Sequence, residues 1–179
     1  MPRKLLLLDA CIAINLVASD RLPHIAQTAD VTFILARQAA AEVHYLRDVV
    51  DGELIRTPID LDQHASDTLQ IIDLTPVEYP IYLSLAREVD DGEAATIAVA
   101  AQRGMQLATD DRKARRLCSE RFLPEPLRTV ALLRAHADAA ALRQAQLHDL
   151  LIRVRDRASF QPPRSDPDYK WWQDHIDNP

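Results

Sequence analysis

Three glycines and two cysteines in 179 residues leave little room for several kinds of chemistry. Gly52, Gly92 and Gly104 are too dispersed to form a phosphate-cradling loop, and no nucleophile elbow is present. Cys11 and Cys118 are too few for a disulfide framework and are expected to act as small buried apolar residues. The six histidines (His24, His44, His64, His136, His148 and His175) include no pair at one-turn helical spacing, which excludes a helix-borne histidine metal site. No apolar run approaches the ~18–20 residues needed to cross a bilayer. The opening Leu5–Leu8 run is halted by Asp9, short of the ~7 apolar residues of a signal peptide. A cytoplasmic, reducing location without membrane contact is the expectation. The net charge of −6 excludes a protein that coats nucleic acid wholesale, but not a local nucleic-acid contact.

What is present reads as alternating strands and helices. Leu5–Leu8 is a short unbroken apolar run, the pattern of a strand buried on both faces. Similar runs follow: Val31–Leu35 before an Ala-rich helical stretch containing Glu42, and Gln70–Leu74 before Pro76, a plausible first helical residue. Gln106–Thr109 precedes Asp110 and a basic helix. This alternation predicts an α/β domain with a parallel sheet over residues 1–125. Gly104 ends a helix that begins near Gly92. Two helices over 126–158 form an appendage. An irregular tail, 159–179, holds Phe160, Tyr169, Trp171 and Trp172, which either cap the domain's own core or anchor a partner.

Ligands of parallel α/β sheets bind at the carboxyl ends of the strands. Asp9 lies there on the first strand, and Asp110 and Asp111 lie there on a late one. Glu93 sits at a helix start and Glu42 within a helix. If the first and late strands are neighbours, these acids converge. Two like charges ~4 Å apart repel by about 4 kcal/mol at an effective dielectric near 20, so such a cluster calls for a cation. Hard oxygen donors without cysteine or histidine spacing point to Mg²⁺ or Mn²⁺ rather than zinc. Each acid also has an ordinary alternative. Asp9, Asp110 or Asp111 can cap helices, Asp90-x-x-Glu93 can be a capping box, and Glu42 can be a solvated helix position.

Four segments carry a family resemblance: Leu5–Asp9, Ala41-Glu42-Val43, Asp91-Gly92-Glu93-Ala94-Ala95 with Ile97-Ala98, and Ala108-Thr109-Asp110-Asp111-Arg112. In that order they resemble the successive motifs of PIN-domain ribonucleases, above all VapC-like toxins and relatives carrying a Gly-Glu-Ala segment. The resemblance spans roughly residues 4 to 123. It implies a PIN-like three-layer α/β/α fold with a mostly parallel central sheet, and Mg²⁺- or Mn²⁺-dependent endoribonuclease activity. It also implies that Asp9, Glu42, Glu93 and one or both of Asp110 and Asp111 are the catalytic, metal-binding acids. Thr109 would be the small hydroxyl residue before the final acid. The family further implies an antitoxin partner covering the crevice, and a homodimer. One departure is Cys11, where family members often have Asn or Ser; Asn15 lies two helical turns from the strand end and is not an obvious replacement.

Arg112, Lys113, Arg115 and Arg116 follow the final aspartates directly and are candidate RNA-backbone contacts, beside the ordinary reading of a solvated helix face. Residues 1–111 carry a balance of −10, 112–157 of +6, and the remainder of −2, so any grip on nucleic acid is expected to centre on the basic segment. Two other readings stay open. One is a non-catalytic PIN-type scaffold that docks a partner through its tail. The other is a phospho-acceptor domain, which would normally show a paired acid near its start and a late-strand lysine, neither visible in this sequence.

Overall fold

Alternate side chains of the leucine run face opposite layers, and both layers are dry. The computed structural model describes residues 3–64 and 68–177. Its first strand, β1 (Lys4–Leu8), sends Leu6 and Leu8 into one core and Leu7 into another. The chain continues through α1 (Ala10–Ala18), α2 (Leu22–Ala29), β2 (Val31–Ala36), the single turn α3 (Arg37–Ala40), and a hairpin of β3 (Tyr45–Val50) and β4 (Glu53–Pro58). Then come β5 (Leu69–Ile72), α4 (Tyr79–Leu85), α5 (Asp91–Arg103), β6 (Gln106–Ala108), α6 (Arg112–Glu120), α7 (Thr129–Ala139), α8 (Gln144–Arg157) and α9 (Tyr169–Ile176).

The main sheet has the order β5-β2-β1-β6, with every pair parallel. One face packs on α1, α2 and the C-terminal helices through Ile12, Leu16, Ile25, Leu133, Leu151 and Trp172. The other packs on α4, α5 and α6 through Leu85, Ile97, Val99, Leu117 and Cys118. The architecture is the expected three-layer α/β/α fold. In α5 the run Ala94–Ala100 is buried throughout, and its alanines let the helix lie close against the sheet. Asp90 caps its start, and Gly104 ends it in the left-handed conformation (φ 62°).

Four local expectations need correction. The Ala-rich stretch is not a long helix: α3 stops at Ala40, and Glu42 lies in the turn beyond it. Burial of Val43 and Leu46 draws the chain off the helical path, a tertiary demand that overrides alanine's propensity. Pro76 does not start a helix. The Thr75 amide and hydroxyl donate to the Glu78 carboxylate and close a turn, and Pro80 takes the first-turn position of α4. The β3–β4 hairpin was not foreseen, although its Asp51-Gly52 turn has φ of 52° and 82°, as a two-residue primed turn requires. Finally, the tail is not wholly irregular. It forms α9, whose Trp172 is 1% exposed and packs edge-to-face on Phe160 at 5.5 Å, so these aromatics complete the protein's own core.

Behind the sheet, Arg103 at the end of α5 reaches the fully buried Glu78 with Nε at 2.6 Å and a second nitrogen at 3.0 Å. This bidentate pairing holds the Glu78 carboxyl down at about 2. Arg103→Met leaves a buried carboxylate without its cation and is expected to cost about 3 kcal/mol at neutral pH, measured by urea denaturation. Because the Glu78 pKa is depressed, the pair's contribution is complete above about 4.5 and is lost as pH falls toward about 2. The difference between variant and wild type therefore shrinks over that window.

Candidate active site

The parallel pairing of β1 with β6, in register Leu8 to Ala108, brings two strand ends side by side. The Asp9 amide donates to the Ala108 carbonyl at 3.0 Å, which fixes the residue after β1 against the residue before Thr109. The Asp9 side chain is buried. One oxygen accepts from the Ala10 amide at 2.7 Å and caps α1; the other accepts from the Thr109 hydroxyl at 2.7 Å and the Cys11 thiol at 3.2 Å. Burial raises the Asp9 pKa despite these donors. Cys11 is thus a polar neighbour of the first acid rather than apolar filling, whereas Cys118 is a core thiol as expected.

The adjacent aspartates point different ways. Asp110 accepts from the Thr129 amide at 3.1 Å with one oxygen. With the other it accepts from the Thr129 hydroxyl at 2.6 Å and the Asn15 amide at 3.3 Å. Arg128, the residue before α7, gives no side-chain cap, so Asp110 supplies it from across the fold. Asn15 also donates to the Thr129 hydroxyl at 2.8 Å. Asp111 caps α6 by accepting from the Ala114 amide at 2.7 Å, and its own amide donates to Thr109.

Glu42 approaches from the other side. Its carboxylate accepts from the Gly92 amide at 2.8 Å, so closely that a Cβ on Gly92 would lie 2.6 Å from a Glu42 oxygen. Gly92 is therefore required by the approach of Glu42. The next residue, Glu93, has its amide taken by Asp90 at 2.8 Å. Among the described residues its own carboxylate receives no hydrogen bond. Burial first, then Asp111 and the neighbouring acids, push Glu93 up to about 8.

One cleft of about 330 Å³ is walled by Asp9, Glu42, Asp90, Glu93, Asp110 and Asp111, with Cys11 beside them. All five acids singled out in the sequence thus meet, joined by Asp90. Asp110 is anchored by Asn15, which its distance from the strand end sets aside in the sequence, and by Thr129; hydrogen bonds across 95 and 19 positions leave no spacing pattern. His44 and Glu42 both lie past α3 and share a second cleft. Of the basic segment, Arg112, Lys113 and Arg116 line a cleft of about 590 Å³ that shares Asp111 with the acidic one. Lys113 donates to the Glu88 carbonyl, and Arg116 lies 3.5 Å from Glu120. Arg115 turns away to Glu125 at 3.2 Å.

The donor set is chemically that of a hard divalent cation: carboxylate oxygens, no histidine in the wall, and one acid, raised to about 8, whose ionised form a cation in the cleft would favour. Among the described residues no three of these groups are already drawn together at metal-binding distance, so loading would have to pull the acids inward.

A family model described as DUF3368, PIN domain, matches residues 6–159. The chain belongs to that PIN-domain family, a class made up in general of nucleases. The match runs past the resemblance noted in the sequence and takes in α7 and α8. Neither the curated proteins nor the solved structures include a match to the chain. Among the described residues no helix is long and apolar enough to cross a membrane.

Because the Glu93 pKa is raised, its contribution favours the fold below about 4.5 and is lost as pH rises through about 8. Metal-free protein is therefore expected to melt at lower temperature as pH climbs through that window. Glu93→Gln should flatten the dependence and melt above wild type at pH 8. A wild-type profile as flat as the variant's would remove the proposed charge conflict.

Proposed function

We propose that this PIN-domain protein is a Mg²⁺- or Mn²⁺-dependent endoribonuclease. The supporting observation is the convergence of six carboxylates on one cleft, where burial and then the neighbouring acids push Glu93 up to about 8. Asp9, Glu42, Glu93, Asp110 and Asp111 would hold the ion. Of these, Asp111 is the acid whose charge bears most on Glu93, and Asp111 has one oxygen engaged in capping α6. When bound, a divalent ion activates water and offsets phosphate charge in phosphodiester hydrolysis. The chain's own groups do the rest. Thr109 and the Ala10 amide fix Asp9, Asn15 and Thr129 fix Asp110, and the Gly92 amide fixes Glu42. Arg112, Lys113 and Arg116 would receive the RNA backbone along the adjoining cleft. In this reading the protein works as the toxin of a toxin–antitoxin pair, with an antitoxin covering the acidic cleft and a homodimer as the working unit. Burial of Trp172 in the core weighs against the scaffold alternative, in which the tail docks a partner.

Purified protein with Mn²⁺ is expected to cut single-stranded RNA internally. Asp9→Asn should abolish cleavage yet melt within a few degrees of wild type, because asparagine keeps the helix cap. Cleavage that survives Asp9→Asn would falsify the site assignment.

Gly92→Ala provides a second check. The added methyl meets only the mobile end of Glu42, so the fold should hold while the carboxylate is displaced. Mn²⁺ affinity measured by titration calorimetry is expected to fall about tenfold or more with little change in melting temperature. Unchanged affinity would take Glu42 out of the ion's surroundings.

A further inference from the structure

We propose that the β3–β4 hairpin is a second phosphate-binding arm, gripping a single nucleic-acid strand at the end of the acidic cleft away from α6. The proposal rests on the nuclease reading in one respect: the strand must cross the acidic cleft.

Three clefts join in series through shared walls. Asp111 belongs to both the basic α6 cleft and the acidic cleft; Glu42 belongs to both the acidic cleft and a third, of about 250 Å³, walled by Tyr45 and Arg47 of the hairpin. The hairpin register places Arg47 directly opposite Arg56, two like charges on one sheet face. Such a cross-strand pair destabilises a hairpin. Among the described residues neither arginine has an ion-pair partner, and Arg56 instead lies over the Tyr45 ring, its guanidinium carbon 4.6 Å from the ring centre. The ring orients the guanidinium without neutralising it. The opposite face is arranged otherwise: there Asp48 accepts from Arg157 at 2.7 Å. The turn brings Glu53 onto that same face, so the hairpin's strand acids and its arginines are sorted to different sides.

A phosphate between Arg47 and Arg56 turns the like-charge conflict into two attractive contacts with fork-shaped donors. The need for a second arm follows from the site itself. Carboxylates in the middle repel the strand, so attraction has to come from both flanks. A strand held only by α6 would swing away from the centre.

The test measures binding of a fluorescently labelled single-stranded RNA, and a DNA of the same sequence, by anisotropy over a potassium chloride series. Divalent ions are withheld so that cleavage is off and the flanking arms carry the binding. Arg47→Ser with Arg56→Ser removes two phosphate contacts and should lower the slope of log affinity against log salt by about 1.4. Between 50 and 200 mM salt the variant should therefore lose about sevenfold less affinity than wild type. Its melting temperature should equal or exceed that of wild type, since the like-charge pair is gone. Arg112→Ser with Arg116→Ser should lower the slope similarly, and the combined variant by the sum. A hairpin variant that keeps the wild-type slope while the α6 variant loses it overturns the arm and leaves the nuclease reading standing. An unchanged slope with altered mass by light scattering assigns the hairpin to a protein contact instead and overturns the arm as well. Wild type that binds neither strand overturns both readings.

Discussion

Four of the six carboxylates that share one cleft are held there by the amides of helix N-termini. Asp9 caps α1, Asp90 caps α5, Asp111 caps α6, and Asp110 caps α7 from outside its own segment. Each N-terminus presents unpaired amides and a partial positive charge, the one fold-level resource that can hold negative side chains together before any ion arrives. Capping and metal chemistry, alternatives when the acids are read singly, are here two uses of the same residues. Glu93 shows the limit of this arrangement. Its amide is consumed by Asp90, its carboxylate has no capping role, and burial together with the neighbouring acids pushes it up to about 8.

The same arrangement ties the C-terminal helices to the site. Asp110 is held through Thr129, the first residue of α7, and that helix is packed into the core lined by α8 and Trp172. Just before it, Arg128 pairs with Asp166 at 3.2 Å, a buried acid of the segment leading to α9. Loss of packing at the end of the chain would therefore be felt at Asp110. The family match through residue 159 has a physical counterpart in this linkage.

Much of this was readable because it is local. Unbroken apolar runs gave the buried strands, with ends shifted by a residue or two, and an acid straight after a strand marked a capped helix. Gly104 ended α5 for the reason glycine usually does. What escaped was set at a distance. The position of Glu42 depends on Gly92, 50 residues on, and on Val43 and Leu46 reaching the core, so alanine's helix propensity misled. Asn15 seemed too far along α1 to matter, yet its amide spans from α1 to Asp110 and Thr129. Gly92 was visible only as punctuation, because a missing Cβ shows its purpose once the neighbouring carboxylate is in place. The Asp51-Gly52 turn is the one local signal of the β3–β4 hairpin.

Charge along the chain does not translate directly into charge available to a ligand. The segment 112–157 is positive, but seven of its eleven cations are paired with carboxylates, several of them in the acidic first part or the tail: Arg157 with Asp48, Arg153 with Asp20, Arg134 with Asp168. The long-range pairs among them tie the C-terminal helices to the rest of the fold, whereas Arg116–Glu120 is an exposed pair within α6 that holds its arginine weakly. The useful positive charge is what lies beside the cleft uncommitted or only weakly committed to carboxylates, Arg112, Lys113 and Arg116 at one end and Arg47 with Arg56 at the other. The latter pair lies in the part of the sequence whose balance is −10. An acidic stretch can hold a cationic contact when a hairpin sorts its arginines and acids onto opposite faces, which a running sum of charge cannot register.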